Sequence, residues 1–215
     1  ERQDHRHHRS IWTAWGEIKS AKSDEVTNYW HQTKNPDKQD RQVVDKILET
    51  VSGPVFGAIK ARINWVSHDG IHEFTEVRTY RFFRGDEDTR VIDAENVFKF
   101  DQCDVTFQGT KEAGIAAVRI ASSMEENPKK ELRGPRTGHI TNSRGQKKEA
   151  GCWGQKAEWC DYVGPVKVNT VGIAIFDHPQ NYGFPCRWHI RGYGQVTANP
   201  IPVKGFIKPG EDATK

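Results

Sequence analysis

Polar and ionisable side chains alternate with apolar ones over residues 187–193 (RWHIRGY). On a strand, one face would carry two cations, an imidazole and a phenol, namely Arg187, His189, Arg191 and Tyr193. Trp188 and Ile190 would face the core. The polar set suits a concavity that holds a polar ligand, so His189 is a candidate catalytic residue, and Arg191 and Tyr193 are candidate substrate-binding residues. The alternative is a buried structural network that bridges to acidic residues on the next strand.

A second polar group, Asp177-His178-Pro179-Gln180-Asn181, follows the predicted strand at 171–176. Functional sites often form where strands end. His178 is a candidate general acid or base because the pKa of free imidazole lies near neutrality. Asp177 would hold its tautomer and Asn181 would bind substrate. The alternative is a structural turn, in which Asp caps, Pro stiffens the chain and Asn adopts a left-handed conformation.

Three histidines stand close together near the start of the chain, in the run DHRHHRS. Strand alternation would put His5 and His7 on one face and His8 on the other. His8 is a candidate catalytic residue, and Arg9 can bind a carboxylate or vicinal hydroxyls. If a divalent metal is bound, His5 and His7 are its candidate ligands, because a site needs converging neutral imidazoles. The alternative is a metal-free rim that hydrogen-bonds a ligand, and no cofactor is otherwise predicted.

Two further candidates come from Lys111-Glu112 and Trp153. Glu112 is a candidate catalytic base, and Lys111 would bind substrate and stabilise a developing enolate or alkoxide. Adjacent residues of a strand point to opposite faces, so only one of the two would face a concavity. Trp153 is a candidate platform for a sugar ring, because a flat aromatic surface packs on the apolar face of a sugar. Its neighbour Gly154 would let a ligand approach the backbone closely.

The elements that position these residues are predicted to be strands. The many aromatic and β-branched residues, with 19 Gly and 10 Pro in 215 residues, favour an all-β chain with frequent turns. We expect a β-sandwich, in one domain over residues 1–215, with a polar excursion at 17–41 and a loose tail at 203–215. The apolar run at 171–176 predicts a buried strand. Glu73 and Glu76 differ in strand parity, so they cannot share a face unless a bulge intervenes, and Glu73 is expected at the surface.

The composition argues against several classes of function. Lys and Arg number 32 against 29 Asp and Glu, a net charge of +3, which is too balanced for an electrostatic nucleic-acid binder. No apolar run approaches the roughly 18 residues that a membrane helix needs. The four Cys lack a zinc-binding spacing, and Cys152 could pair with Cys160 only from a neighbouring strand. The chain begins at Glu1, within an apparent motif, so we expect a processed or partial chain.

Six motifs, in a fixed order, give the chain a resemblance to a known family. They are DHRHHRSIW (4–12), DGIHEFTEVRTY (69–80), TKEAG (110–114), ITNSRG (140–145), CWGQKAEWCDYVGP (152–165) and VGIAIFDHPQN with PCRWHIRGYGQVTANP (171–200). Together they resemble the soluble bacterial family labelled methane oxygenase PmoA. The resemblance spans nearly the whole chain, from Asp4 to Pro202.

The resemblance implies a galactose-mutarotase-like β-supersandwich whose first strands precede this chain, and a carbohydrate in the concave face. We therefore expect a carbohydrate-active protein that binds a sugar or glycoside or acts on it as a hydrolase, lyase or epimerase, through His and Glu acid–base chemistry. One alternative is a non-catalytic carbohydrate-binding or self-assembling β-sandwich. Another, following the family label, is a metal-dependent oxidoreductase. An extracytoplasmic location, periplasmic or secreted, and a homo-oligomer or larger assembly are also expected.

Overall fold

The computed structural model describes residues 7–126 and 137–201. These residues form fourteen strands, one α-helix of five residues and two short 3-10 turns. The strands assemble into four antiparallel sheets, so the prediction of an all-β protein is confirmed. Within the same residues, no helix is both long enough and apolar enough to cross a membrane.

The strands are numbered in chain order, and their bounds are β1 Ile11–Trp15, β2 Ile18–Ser20, β3 Val26–Thr27, β4 Arg41–Ser52, β5 Phe56–Val66, β6 His72–Phe83, β7 Val91–Lys99, β8 Val105–Phe107, β9 Ala113–Arg119, β10 His139–Asn142, β11 Trp159–Val166, β12 Asn169–Phe176, β13 Arg187–Trp188 and β14 Gln195–Asn199. The helix α1 spans Lys148–Cys152, and the 3-10 turns span Pro36–Lys38 and Ser122–Met124.

The described residues fall into two compact units. Unit 1 draws on Glu1–Gly16 and Gly109–Lys215, and unit 2 is Glu17–Gln108. The single domain expected over residues 1–215 stays a prediction. The polar stretch at 17–41 is more ordered than a loop, since it contains β2, β3 and a 3-10 turn. The tail expected at 203–215 lies outside the described residues.

Unit 1 contains two sheets around one apolar core. Sheet I has the strand order β1-β9-β14-β13, and sheet II has the order β10-β11-β12. Trp188 and Val196 of sheet I share the core with Ile140 and Tyr162 of sheet II. Two sheets that pack their apolar faces together form a β-sandwich, as predicted. The indole N–H of Trp188 donates to the carbonyl of Ala157 at 2.9 Å, so the core leaves this donor satisfied.

Among the described strands, β12 is an edge strand of sheet II and pairs only with β11. The prediction that the run at 171–176 is buried is wrong, because most of its residues are exposed, and Phe176 is 72 % exposed. An apolar run of this length does not distinguish a central strand from an edge strand, since both satisfy the same short pattern.

All four cysteines are free thiols. Cys152, Cys160 and Cys186 lie within the core of unit 1. Cys152 ends α1 and does not lie on a strand beside Cys160, so the strand-to-strand pairing considered from the sequence does not arise. The hydrogen bond that the Cys160 thiol donates to the neighbouring Cys152, together with burial, raises the pKa of the Cys160 thiol far above its usual range.

Unit 2 contains sheet III, with the order β3-β2-β8, and sheet IV, with the order β4-β5-β6-β7. The hairpin between β5 and β6 closes at Ser67–Gly70, where Gly70 has a φ of 84°, as the Asp-Gly pair predicted. Aromatic rings form the interior, and Phe74 lies 4.8 Å from Trp65 and 5.6 Å from Phe107 between ring centroids. Contacts of this geometry add to the stability gained by burying each ring.

A β-bulge on β6 buries Glu73. Trp65 pairs with Phe74 and Val66 pairs with His72, so Glu73 is the extra residue between them. The expectation that Glu73 lies at the surface is wrong, since Glu73 and Glu76 are both fully buried. The Tyr29 hydroxyl donates to Glu73 Oε2 at 2.7 Å. Burial and the adjacent Glu73 carboxylate raise the pKa of Tyr29.

Candidate functional site

Strand β14 carries a row of buried polar side chains on one face of sheet I. All five residues of the strand are buried. Val196 and Ala198 pack into the core, so the alternate residues Gln195, Thr197 and Asn199 face the other side. Two amides and a hydroxyl in a central, buried strand are costly unless they have partners, so this face is built for hydrogen bonding. We call it the polar face of sheet I.

The strand register extends the polar face across sheet I. Ala117 pairs with Trp12 on one side and with Thr197 on the other. The backbone N–H of His189 donates to the carbonyl of Thr197 at 2.9 Å, which brings His189 into the same row. Directly opposite residues of antiparallel strands share a face. The row therefore runs from Trp12 through the small Ala117 to Thr197 and His189.

His189 is a buried imidazole with polar neighbours. The residue is only 3 % exposed, and its ring atom Nδ1 lies 3.4 Å from Gln195 Nε2. Burial lowers the pKa of His189 to about 3, and the positive charges of Arg191 and Lys111 add to this effect. The imidazole is therefore neutral at physiological pH. A neutral imidazole can accept and donate hydrogen bonds, but it does not deliver a proton as an acid.

Arg191 and Tyr193 lie at a tight turn beside this imidazole. The predicted strand over 187–193 is wrong in its extent, because β13 ends at Trp188 and the chain turns back through Gly194, which has a φ of 94°. Two guanidinium groups approach the phenol ring of Tyr193. The Cζ of Arg119 lies 5.1 Å from the ring centroid, and the Cζ of Arg191 lies 5.4 Å from it. These are cation–π contacts. They hold both guanidinium groups against the Tyr193 ring, and the charge of Arg191 acts on His189.

Arg191 is also held by a carboxylate. Its Nη1 lies 3.0 Å from Glu149 Oε1, and Glu149 Oε2 accepts the backbone N–H of Gly192 at 2.6 Å. One acidic residue thus fixes both the side chain of Arg191 and the turn that follows it. The alternative considered from the sequence, a network with acidic residues on the next strand, is met only in part, because the partner of Arg191 is an acidic residue of helix α1.

Lys111 and Glu112 precede β9, which begins at Ala113, so strand alternation does not govern them. Lys111 Nζ lies 3.8 Å from Glu112 Oε1, a long contact between partly solvated groups. Lys111 belongs to the site through the effect of its charge on His189. Glu112 is positioned beside this lysine, where it offsets part of the charge.

His8 stacks on Trp12 at the far strand of sheet I. The ring centroids of His8 and Trp12 are 4.8 Å apart and the planes are 6° from parallel, whereas the His7 and His8 centroids are 4.1 Å apart with the rings edge to face. Three strand spacings separate the Trp12 position from His189, or about 14 Å. His8 and His189 therefore do not share a proton directly. His5 lies outside the described residues.

The Asp177–Asn181 segment forms the structural turn that was considered as the alternative. His178 is exposed, and its Nδ1 accepts the backbone N–H of Gln180 at 3.2 Å. The carboxylate of Asp177 accepts from the Asn181 side chain and from the Cys186 backbone N–H, each at 2.8 Å. Asp177 is thus committed to the loop and does not orient the imidazole. This geometry gives His178 and Asn181 a local structural role.

Trp153 and Arg9 lie apart from the polar face. Trp153 follows α1 and packs against the core of unit 1. Arg9 is exposed. The tryptophan that lies on the polar face is Trp12, which was not among the sequence candidates. Gln195, Thr197 and Asn199 were also missed, although their alternation in QVTAN carries the same signal that marked His189 and Arg191.

One group of His and acidic residues in the described part of the chain has its donor atoms close enough to hold a metal ion. It consists of Glu25, His68 and Asp69 in unit 2, with the donor atoms within 4.8 Å of one another. The histidines at the start of the chain do not form such a group within residues 7–126 and 137–201, since His7 and His8 pack ring against ring.

A family model covers residues 1–214 of the chain. The chain belongs to DUF6807, a family of unknown function. No curated protein and no solved structure shows a significant match to it. Membership in DUF6807 names no reaction, ligand or location, so the function has to be inferred from the polar face itself.

Proposed function

We propose that unit 1 binds a sugar or glycoside on the polar face of sheet I. The observation that carries this proposal is the buried row Gln195, Thr197 and Asn199 beside the neutral His189. Amide, hydroxyl and imidazole groups can both donate to hydroxyl groups and accept from them. A polyhydroxylated ligand is therefore the chemical match for this row.

Asn199 has hydrogen-bonding capacity left over. Its Nδ2 donates to the carbonyl of Ala113 at 3.4 Å, while its buried Oδ1 has no partner in the part of the chain that the structure describes. A buried acceptor without a partner costs about 1–3 kcal/mol. A ligand hydroxyl that donates to this oxygen would recover that free energy, which supports a ligand on this face.

Trp12 provides the apolar component of the proposed site. Its indole stacks on His8 and is only partly buried, so a ring surface stays accessible beside the polar row. Sugar rings present apolar C–H faces to aromatic surfaces and hydroxyls to polar groups at their edges. The register places the small Ala117 between Trp12 and Thr197, so the aromatic surface and the polar row belong to the same face of sheet I.

Binding is better supported than acid–base catalysis. An imidazole with a pKa of about 3 is a weak base and is not protonated at neutral pH. Lys111 and Arg191 would stabilise negative charge on a ligand oxygen near it. A hydrolase, lyase or epimerase needs a second group that exchanges protons near neutrality. His178 is in a separate turn and Glu112 is beside Lys111, so the conclusion is a carbohydrate-binding function.

The proposal is tested by NMR titration of the full chain with a panel of neutral sugars, uronic acids and glycosides. We expect at least one compound to bind the wild type. Thr197→Val, which replaces the hydroxyl with a methyl group of similar size, should weaken binding about 5- to 10-fold through the loss of one hydrogen bond. Thr170→Val, on the exposed strand β12, is the matched control and should bind like the wild type. Absence of any binding, or equal binding by Thr197→Val, would overturn the proposal.

A second candidate function, self-assembly, is favoured by the edges of sheet IV. Its edge strands β4 and β7 expose Val44, Ile47, Val91 and Ile92, and Ile47 is 50 % exposed. Long edge strands with exposed apolar residues are templates for pairing with another copy. Light scattering over a range of concentrations should then show dimers or larger species, which Ile47→Lys reduces. A monomer at every concentration would exclude this function.

A further inference from the structure

We infer that unit 2 holds a site for a divalent transition-metal ion, formed by Glu25, His68 and Asp69. His68 Nε2 lies 3.4 Å from Glu25 Oε2 and 3.4 Å from Asp69 Oδ2. The three donor atoms come from the segment before β3 and from the β5–β6 hairpin. This site is independent of the polar face of sheet I, since all its residues belong to unit 2.

The two separations of 3.4 Å match the edges of a coordination polyhedron. Ligand atoms bonded at about 2.1 Å to a tetrahedral zinc ion are about 3.4 Å apart. A protonated imidazole that bonded to these carboxylates would approach to about 2.7–2.9 Å instead. Both distances from Nε2 exceed that range. The spacing therefore fits donors arranged around a common centre better than donors bonded to one another.

A third carboxylate orients the imidazole. Asp40 Oδ1 lies 3.1 Å from His68 Nδ1 and accepts the backbone N–H of His68 at 2.8 Å. The side chains of Asp40 and His68 are only 7 % and 10 % exposed. A carboxylate that holds one ring nitrogen fixes the tautomer and raises the basicity of the other nitrogen toward a metal. Asp40 thus leaves the Nε2 lone pair directed at Glu25 and Asp69.

Lys38 places a positive charge beside the same ring nitrogen. Its ammonium nitrogen lies 3.2 Å from His68 Nε2. An ammonium group has no lone pair, so Nε2 must be unprotonated to accept from it. A lone pair facing two carboxylates repels them unless a positive charge lies close by. Lys38 supplies that charge, and we infer that a metal ion takes over this role when it binds.

The donor set selects the class of metal. One imidazole and two carboxylates suit zinc and similar transition ions, whereas calcium and magnesium prefer oxygen ligands alone. Glu25 and Asp69 are exposed, so water can complete the coordination. Such an ion would tie the β5–β6 hairpin to the segment before β3. It would stabilise these loops, and no chemistry on a substrate is required of it.

Zinc titration of the full, chelator-treated chain tests the inference, with isothermal calorimetry for affinity and mass spectrometry for metal content. We expect one zinc ion per chain at this site in the wild type. His68→Gln should lose it, and Asp40→Asn should weaken it about 10- to 100-fold because it removes the oriented carboxylate. Lys38→Ala should bind zinc more tightly, because a competing positive charge is removed.

His31→Gln, which changes an exposed histidine of the same unit, is the matched control and should bind like the wild type. Circular dichroism of each variant establishes that it is folded. If His68→Gln is misfolded, Lys38→Ala provides the decisive measurement, since its tighter binding is not expected from a damaged fold. The inference is overturned if the wild type binds no zinc, if folded His68→Gln binds it equally, or if Lys38→Ala binds it no more tightly.

Discussion

Nδ1 of His189 lies 3.4 Å from the side-chain nitrogen of Gln195. An amide nitrogen offers only hydrogens, so this ring nitrogen is the acceptor and the imidazole proton is on Nε2. Gln195 Nε2 also donates to Thr197 Oγ1 at 3.2 Å, which links the imidazole to the polar row of β14. The acceptor role of Nδ1 thus agrees with the neutral state that burial and the nearby cations impose on His189.

The first prediction concerns the pH dependence of stability. His189 has a pKa of about 3 when folded and about 6.5 when unfolded, so the unfolded chain binds the extra proton first as the pH falls. The contribution of His189 is fully present above about pH 6.5 and is lost progressively toward pH 3, a loss of roughly 3–5 kcal/mol. Urea unfolding at several pH values measures it.

His189→Gln should flatten this part of the stability curve. His139→Gln, at an exposed position, is the control and should leave the slope unchanged. If the free energy of unfolding fell equally steeply between pH 6.5 and pH 3 in the wild type and in His189→Gln, then His189 would not be held neutral by the fold.

The second prediction concerns Arg191. Its positive charge helps to lower the pKa of His189, so Arg191→Gln should raise that pKa toward the ordinary value. The freed carboxylate of Glu149 should act in the same direction. NMR of the imidazole resonances during an acid titration reports the change. Arg144→Gln is the control: it breaks an exposed ion pair with Glu158 and should leave the His189 titration as in the wild type. If Arg191→Gln also left the titration unchanged, Arg191 would not act on His189.

The third prediction contrasts two aromatic residues of unit 1. Trp188 is fully buried and donates to a carbonyl, so Trp188→Ala should lower the free energy of unfolding by about 3–5 kcal/mol. Phe176 lies on an exposed edge strand, so Phe176→Ala should change the free energy of unfolding by less than about 0.5 kcal/mol. Denaturant unfolding compares them. Equal losses would contradict the assignment of β12 to the edge of sheet II.

The fourth prediction concerns the buried carboxylate of Glu73. Tyr29→Phe removes a 2.7 Å hydrogen bond to it and leaves a buried carboxyl oxygen with one donor fewer. We expect a loss of about 1–3 kcal/mol in the free energy of unfolding. Tyr182→Phe, at an exposed tyrosine, should have little effect. A neutral Tyr29→Phe would show that the hydroxyl does not stabilise Glu73.

Local patterns predicted much of the fold. The β5–β6 hairpin was predicted from the alternation at 56–66 and 71–83 and from the Asp-Gly turn between them. Strand parity also predicted that Trp188 and Ile190 lie in the core. The edge position of β12 could not be predicted in this way, because strand order depends on contacts distant in sequence. The burial of Glu73 also depends on a bulge, which one inserted residue creates and no simple periodicity reveals.

The candidate site was predicted in part. His189, Arg191 and Tyr193 come together with Lys111, as their residue types suggested, although Tyr193 arrives there through a turn. His178 and Asn181 fit a catalytic motif and a capped turn equally well by spacing, and hydrogen bonds to Asp177 and Gln180 decide for the turn. The proposed metal site of unit 2 joins Glu25 to His68 and Asp69, which only the folded chain brings close.

The most direct test of the central claim is a map of backbone amide shifts on the titrated full chain, using the sugar or glycoside that binds most tightly. We predict that the amides of Gln195–Asn199 and of His189 shift first and furthest, with smaller changes around Trp12. Shifts confined to the edges of sheet IV or to α1, with β14 unmoved at saturation, would contradict a ligand site on the polar face of sheet I.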